Sequence, residues 1–180
     1  MSDVLDTLET STGQFSISLA RQEDLEQVRN MLVEAAMWMQ TNGVKQWNPA
    51  QFTPELIQSY FDERDIYLLN TKCELTAMFT LQDSDPDYWG PLNAPGYSYL
   101  HRLTVRVPFR RAGLGGDIIR WAAKRSRVLQ RSGIRLDCWN QNLKLNKMYQ
   151  ELGFQKQGVG QKDGREYNLY ELERNLFLQA

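Results

Sequence analysis

Residues 107–116 read VPFRRAGLGG: a proline, two adjacent arginines and three glycines within four positions. Upstream, YSYLHRLTVRV alternates as a strand, with Tyr97, Tyr99, His101, Leu103 and Val105 on one face and Arg102, Thr104 and Arg106 on the other. Downstream, DIIRWAAKRSRVLQR spaces Ile118, Ile119, Ala122, Ala123 and Val128 as a helix. The decapeptide is therefore a strand-to-helix junction. At such a junction the first helical amides lack internal partners and carry the positive end of the helix dipole, and glycines let an anion approach them. The dipole contributes only about 0.3–2 kcal/mol, so several amides and a cation must act together. A turn that merely needs glycine is the plain alternative. Two phosphate loops fail directly: GxxxxGK[ST] lacks its Lys and Ser/Thr, and GxGxxG would need glycine at Ile118. Asp137 mimics the ribose ligand of the second, but too little chain follows it for a doubly wound fold.

The chain has 180 residues, which favours one domain over 1–180, with residues 1–13 expected as a flexible N-terminus. Hydrophobic residues make up 42% and charged residues 24%, as in an ordinary globular protein. Lys and Arg number 21 against 22 acids, so the net charge of -1 gives no general field for nucleic acid. The arginines and lysines crowded between Arg106 and Arg131 serve either a small anionic ligand or a solvated helix face. Cys73 and Cys138 form no CxxC pair, which predicts free thiols and no zinc site. No segment is apolar enough to span a membrane, and the reading is of a cytoplasmic protein without membrane or nucleic-acid partners.

Elsewhere, residues 14–20 alternate as a first strand, and Leu25, Val28, Leu32, Ala35 and Met39 form one stripe of a helix stopping near Asn42 and Gly43. Thr53 and Pro54 start a second helix. IYLLN and residues 75–81 make a hairpin, and SDPDYWGPLNAPG (84–96) is expected as an exposed loop without regular elements. IRLDCW is a further strand, LKLNKMYQEL a helix, and residues 154–172 a final strand pair. The order predicts an α/β (α+β) fold with a mixed central sheet of about six to seven strands and flanking helices.

At this point the chain resembles the GNAT (GCN5-related N-acetyltransferase) superfamily. Its pyrophosphate motif [QR]xxGx[GA] is matched by Arg110, Gly113 and Gly115, and its second signature by Asn142, Tyr149 and LGF at 152–154. The likeness is loose in the first half and close after Tyr97. It implies that a splayed strand offers the backbone of Leu103, Thr104 and Val105 to the pantetheine arm of acetyl coenzyme A. The loop Arg110, Arg111, Ala112, Gly113, Leu114, Gly115, Gly116 would then wrap the pyrophosphate.

Asn142 would hydrogen-bond the cofactor, although an asparagine there also caps a helix. Tyr149 would serve the departing thiolate, although its spacing with Leu145, Met148 and Leu152 also suits a core stripe. Reference pKa values of about 10 for tyrosine and about 8.5 for a thiol make full proton transfer uphill by roughly 2 kcal/mol, so a hydrogen bond is the expected role. His101 matches a histidine of the arylalkylamine branch and is the leading general base; a satisfied core histidine is the alternative. Trp38, Trp47, Trp89 and Tyr99 are expected around a small-molecule amine acceptor, with Asp83, Asp85 and Asp87 drawing in its charge. The function implied is N-acetyl transfer to a small amine in a ternary complex, without a metal and with room for a homodimer. A longer acyl group, a protein N-terminus or a silent acyl-CoA sensor are the competing readings.

Overall fold

The computed structural model describes residues 3–110 and 112–175. Eight strands are found among them, one more than the sequence reading counts. The addition is β1, Val4–Thr10, which pairs antiparallel with β2, Gly13–Leu19. The expected flexible N-terminus is thus largely a strand; its Leu5 and Leu8 lie in a mostly exposed edge, so periodicity gave it little apolar signal.

Contacts divide the chain into two compact units, residues 1–81 with 102–117, and residues 82–101 with 118–180. In the first, β2 pairs with β3 (Asp65–Asn70) and β3 with β4 (Leu75–Gln82), all antiparallel. Helices α1 (Leu25–Thr41) and α2 (Pro54–Glu63) cover this sheet. Val28, Met31, Leu32 and Ala36 of α1 meet Ile57 and Tyr60 of α2 over Ile66, Leu68 and Met78. The predicted boundaries hold for local reasons. Thr53 Oγ1 accepts from Leu56 N at 3.2 Å, with Pro54 in the first turn, and Gly43 takes φ 72 just past the end of α1.

In the second unit, the start of β5 (Tyr97–Val105) pairs parallel with β6 (Gly133–Trp139), and β6 pairs antiparallel with β8 (Arg165–Glu173), which pairs with β7 (Gln155–Lys162). The ladder between β5 and β6 runs from Tyr97 and Gly133 only to Tyr99 and Arg135. The segment 84–96 is not the irregular exposed loop expected. It contains a helical turn α3, Pro86–Trp89, followed by a 3-10 turn Gly90–Leu92, and it buries Trp89 against Tyr99 and Leu169. Helix α4 runs Leu114–Val128 and α5 Leu143–Glu151. No helix among the described residues is long and apolar enough to cross a membrane.

Candidate active site

The junction after β5 forms as the sequence predicts. Pro108 lies in a 3-10 turn, Val107–Phe109, and α4 begins at Leu114, where Asp117 N donates to Gly113 O at 3.1 Å. The amides of Leu114, Gly115 and Gly116 precede that bond and lie at the positive end of a helix of 15 residues. Gly113 has φ 78, which only glycine takes without strain. Gly115 needs a different reason: a Cβ there would meet nothing within 4 Å among the described residues beyond its own helix, so no contact there forbids a side chain. A glycine in the first helical turn that its own protein does not require fits a ligand pressed against the amides.

Arg110 occupies the basic position of the motif, but it is turned onto the chain. Its Nε donates to Val105 O at 2.7 Å, and its guanidinium lies 4.2 Å from the Trp38 ring centroid. Burial pulls its pKa down while Glu34 opposes that. It thus fastens the end of β5 to α1. Arg111 lies outside the described residues. Ala112 is partly buried, and Thr104 is buried with Oγ1 donating to Arg102 O at 3.0 Å. Arg106 N bonds Thr76 O at 2.9 Å, so β5 is tied to β4 beyond Val105.

On α5, Asn142 caps the helix: Oδ1 accepts from Leu145 N at 3.2 Å. Its Nδ2 has no acceptor among the described residues, so capping leaves a donor for a cofactor. Tyr149 is 5% exposed and its hydroxyl also has no hydrogen-bond partner among the described residues. Burial first, then Cys138 and Asp137, push its pKa well above the ordinary phenol range. It therefore stays protonated and is a donor. The reverse holds for Cys138 as a nucleophile: burial and then the Asp137 charge push its thiol up to about 12, which leaves no thiolate near neutrality.

His101 lies between two carboxylates. Its Nε2 is 2.9 Å from Asp85 Oδ2 and its Nδ1 3.4 Å from Asp137 Oδ1. Asp85, expected from sequence to help draw in the acceptor's charge, is 3% exposed and caps α3, accepting from Tyr88 N. The sequence carries that signal, since an Asp directly before Pro86 is an N-cap followed by a first-turn proline. Asp83 and Asp87 are also engaged, by Arg131 and Lys162. Asp83 and Asp87 therefore pair with cations of the chain, and Asp85 with the His101 ring.

The tryptophans repeat this pattern. Trp38 stacks on Arg110, Trp47 on Arg102 at 5.3 Å and Trp89 on Arg135 at 4.5 Å. Trp89 (1% exposed) and Tyr99 are core residues, so they offer an acceptor no surface; Trp38 and Trp47 remain partly exposed. Sequence reasoning also missed Asn146, whose Nδ2 donates to Trp139 O and Asn142 O while its Oδ1 accepts from Tyr170 and Asn168. That network fixes α5, and with it Tyr149, against β6 and β8.

Residues 27–154 match the acetyltransferase (GNAT) family. The uncharacterized N-acetyltransferase YesJ of Bacillus subtilis is 28% identical over 171 residues, covering 92% of this chain and 93% of YesJ. A GNAT-family acetyltransferase structure from Listeria monocytogenes is 26% identical with a TM-score of 0.80, covering 93% of this chain and 99% of its own. The fold is also that of AAC(6′)-Ib in complex with paromomycin and acetyl-CoA, at 17% identity and a TM-score of 0.74 over 92% of this chain and 97% of that one. With its glycine junction, its α5 tyrosine and this match over most of its length, the chain belongs to the acetyltransferase (GNAT) family.

Proposed function

We infer that the chain transfers an acetyl group from acetyl coenzyme A to a primary amine of a small molecule, by direct attack of the amine on the thioester. The observation that carries this reading is Tyr149, a buried residue whose hydroxyl is protonated and has no hydrogen bond to another described residue. A thiolate leaving beside that hydroxyl would accept a hydrogen bond from it. The amides at 114–116 and the space at Gly115 suit the pyrophosphate of the donor, and Asn142 Nδ2 suits a carbonyl of its pantetheine arm. The family match runs through both compact units, which supports treating the chain as one acetyltransferase domain. The small amine acceptor draws support from AAC(6′)-Ib, which holds paromomycin.

An alkylamine is neutral in only about one part in a thousand at pH 7, so it must lose a proton to attack. The shorter contact, from Nε2 to the buried Asp85 carboxylate, favours the proton on that nitrogen, and we assign Nδ1 of His101 as the accepting atom. Asp137 beside Nδ1 receives the ammonium, and both carboxylates stabilise the imidazolium that forms. The C–N bond forms and the C–S bond breaks; sulfur leaves as a thiolate hydrogen-bonded by Tyr149, and the second proton, shed by the nitrogen that has attacked, neutralises that thiolate to give the amide and free thiol. The test is release of free coenzyme A thiol with a panel of amines: it is expected only with acetyl coenzyme A and an amine together. Tight coenzyme A binding without turnover would replace the enzyme by a sensor, and stabilisation by NAD but not by coenzyme A would reject both.

A further inference from the structure

Two arginines lie among aromatic rings, and they use their guanidinium groups differently. Arg135 stands over Tyr97 and Trp89 and is saturated: Nε and Nη2 reach Glu171 at 2.8 Å, and Nη1 donates to Leu92 O and Tyr99 Oη. Arg102 has its guanidinium carbon 5.3 Å from the Trp47 ring centroid, 5.6 Å from Tyr60 and 5.7 Å from Phe52. Its Nε donates to Tyr60 Oη at 3.0 Å. Neither Nη1 nor Nη2 has an acceptor among the described residues, and no carboxylate there pairs with the charge. The side chain is partly exposed.

The backbone at Arg102 is also unusual. Its φ of 55 is left-handed, a conformation that costs a residue with a side chain roughly 1–3 kcal/mol. The bond from Thr104 Oγ1 to the Arg102 carbonyl helps hold that bend. Tyr60 engages Nε, which leaves the Nη1 and Nη2 edge as a two-pronged donor beside the three rings. An edge of this kind matches an oxyanion bidentately.

We propose that Arg102 selects the acceptor by binding an oxyanion, carboxylate or phosphate, carried on the amine to be acetylated. The inference rests on the transferase reading. Arg102 directly follows His101, the assigned base, along β5, and Trp47 and Phe52 come from the connection between α1 and α2. With a guanidinium already in the Trp47 cage, a purely cationic acceptor meets like charge at this ring.

The test compares acceptor pairs that differ in the oxyanion: lysine with cadaverine, and O-phosphoethanolamine with ethanolamine. The oxyanion member of at least one pair is expected to have the higher kcat/KM by about 10- to 100-fold, and Arg102→Gln to shrink that ratio by a similar factor. Arg102→Lys should retain part of it, since the charge stays but the fork is lost. The pair that discriminates tells carboxylate from phosphate. The proposal is overturned if the wild-type enzyme favours neither oxyanion, or if Arg102→Gln lowers rates while leaving the ratio intact, the mark of a structural role. If Arg102→Gln does not fold, the wild-type comparison decides alone. Acetylation of neutral amines without such preference removes this inference only; no thiol release with any amine removes the transferase reading with it.

Discussion

His101 Nε2 and Asp85 Oδ2 stand 2.9 Å apart, with the carboxylate almost fully buried. Asp85 also accepts from Tyr88 N, and its own backbone N–H donates to the Asn93 side chain at 2.8 Å, so it is locked from three sides. A carboxylate held this way favours the proton on Nε2, the tautomer that the proposed base role of His101 needs.

Asp85→Asn keeps the shape but lets the amide donate as well as accept, so the tautomer is no longer fixed. Hydrogen bonds to charged groups contribute about 1.5–3 kcal/mol, so kcat is expected to fall roughly 10- to 100-fold. A merely structural role would move the melting temperature and leave the pH dependence of kcat/KM in place. Rates measured from pH 6 to 9 separate the two. His101→Ala should cost more, about 10²- to 10⁴-fold, in the same assay.

Tyr149→Phe removes a hydroxyl that has no hydrogen bond to lose within the described chain, so stability should change by less than about 1 kcal/mol. If the hydroxyl stabilises thiolate, kcat should fall about 10²- to 10³-fold. The raised pKa adds a sign. Burial disfavours phenolate, so the donor form persists past the ordinary value and the wild-type rate should show no alkaline loss from Tyr149 ionising below about pH 10. An unchanged kcat in Tyr149→Phe would make Tyr149 a core residue only.

The two cysteines predict opposite reactivities. Cys73 is exposed, whereas Cys138 is buried with its thiol pushed up to about 12. Iodoacetamide near neutral pH should therefore modify Cys73 in the folded protein and Cys138 only after unfolding, as read by mass spectrometry. Incubation with acetyl coenzyme A alone should leave no acetyl group on Cys138. A stable Cys138 thioester would replace direct attack by a covalent route.

Most of the fold is legible in the sequence because its signals are local. The α1 stripe ends at Gly43, the α2 cap is Thr53 with Pro54, and the strand-to-helix junction is written in ten consecutive residues. The site is less legible because its partners are distant in sequence. Trp38 and Trp89 read as acceptor contacts and Asp85 as a charge for the amine, while their partners Arg110, Arg135 and His101 lie 16 to 72 positions away. Folding brings each pair together, which spends the rings on the chain's own arginines and Asp85 on the His101 ring. Arg102 escaped notice because alternation along β5 assumes ordinary backbone angles, and its positive φ breaks that assumption.

The two possible reasons for Gly115 predict opposite signs. As a helix residue with nothing within 4 Å of its missing Cβ, Gly115→Ala should raise stability, since alanine in a helix is favoured over glycine by up to about 1 kcal/mol. As part of a pyrophosphate cradle, the same methyl should stand between the first amides of α4 and the anion, and weaken coenzyme A binding. Thermal melting without ligand and calorimetric titration with coenzyme A measure the two effects on one variant. A higher melting temperature with weaker binding is expected. Gly113→Ala differs, because at φ 78 it should destabilise the fold before any ligand is added. If Gly115→Ala binds coenzyme A as tightly as the wild type, the glycine is a turn residue and the cradle must lie elsewhere in the junction.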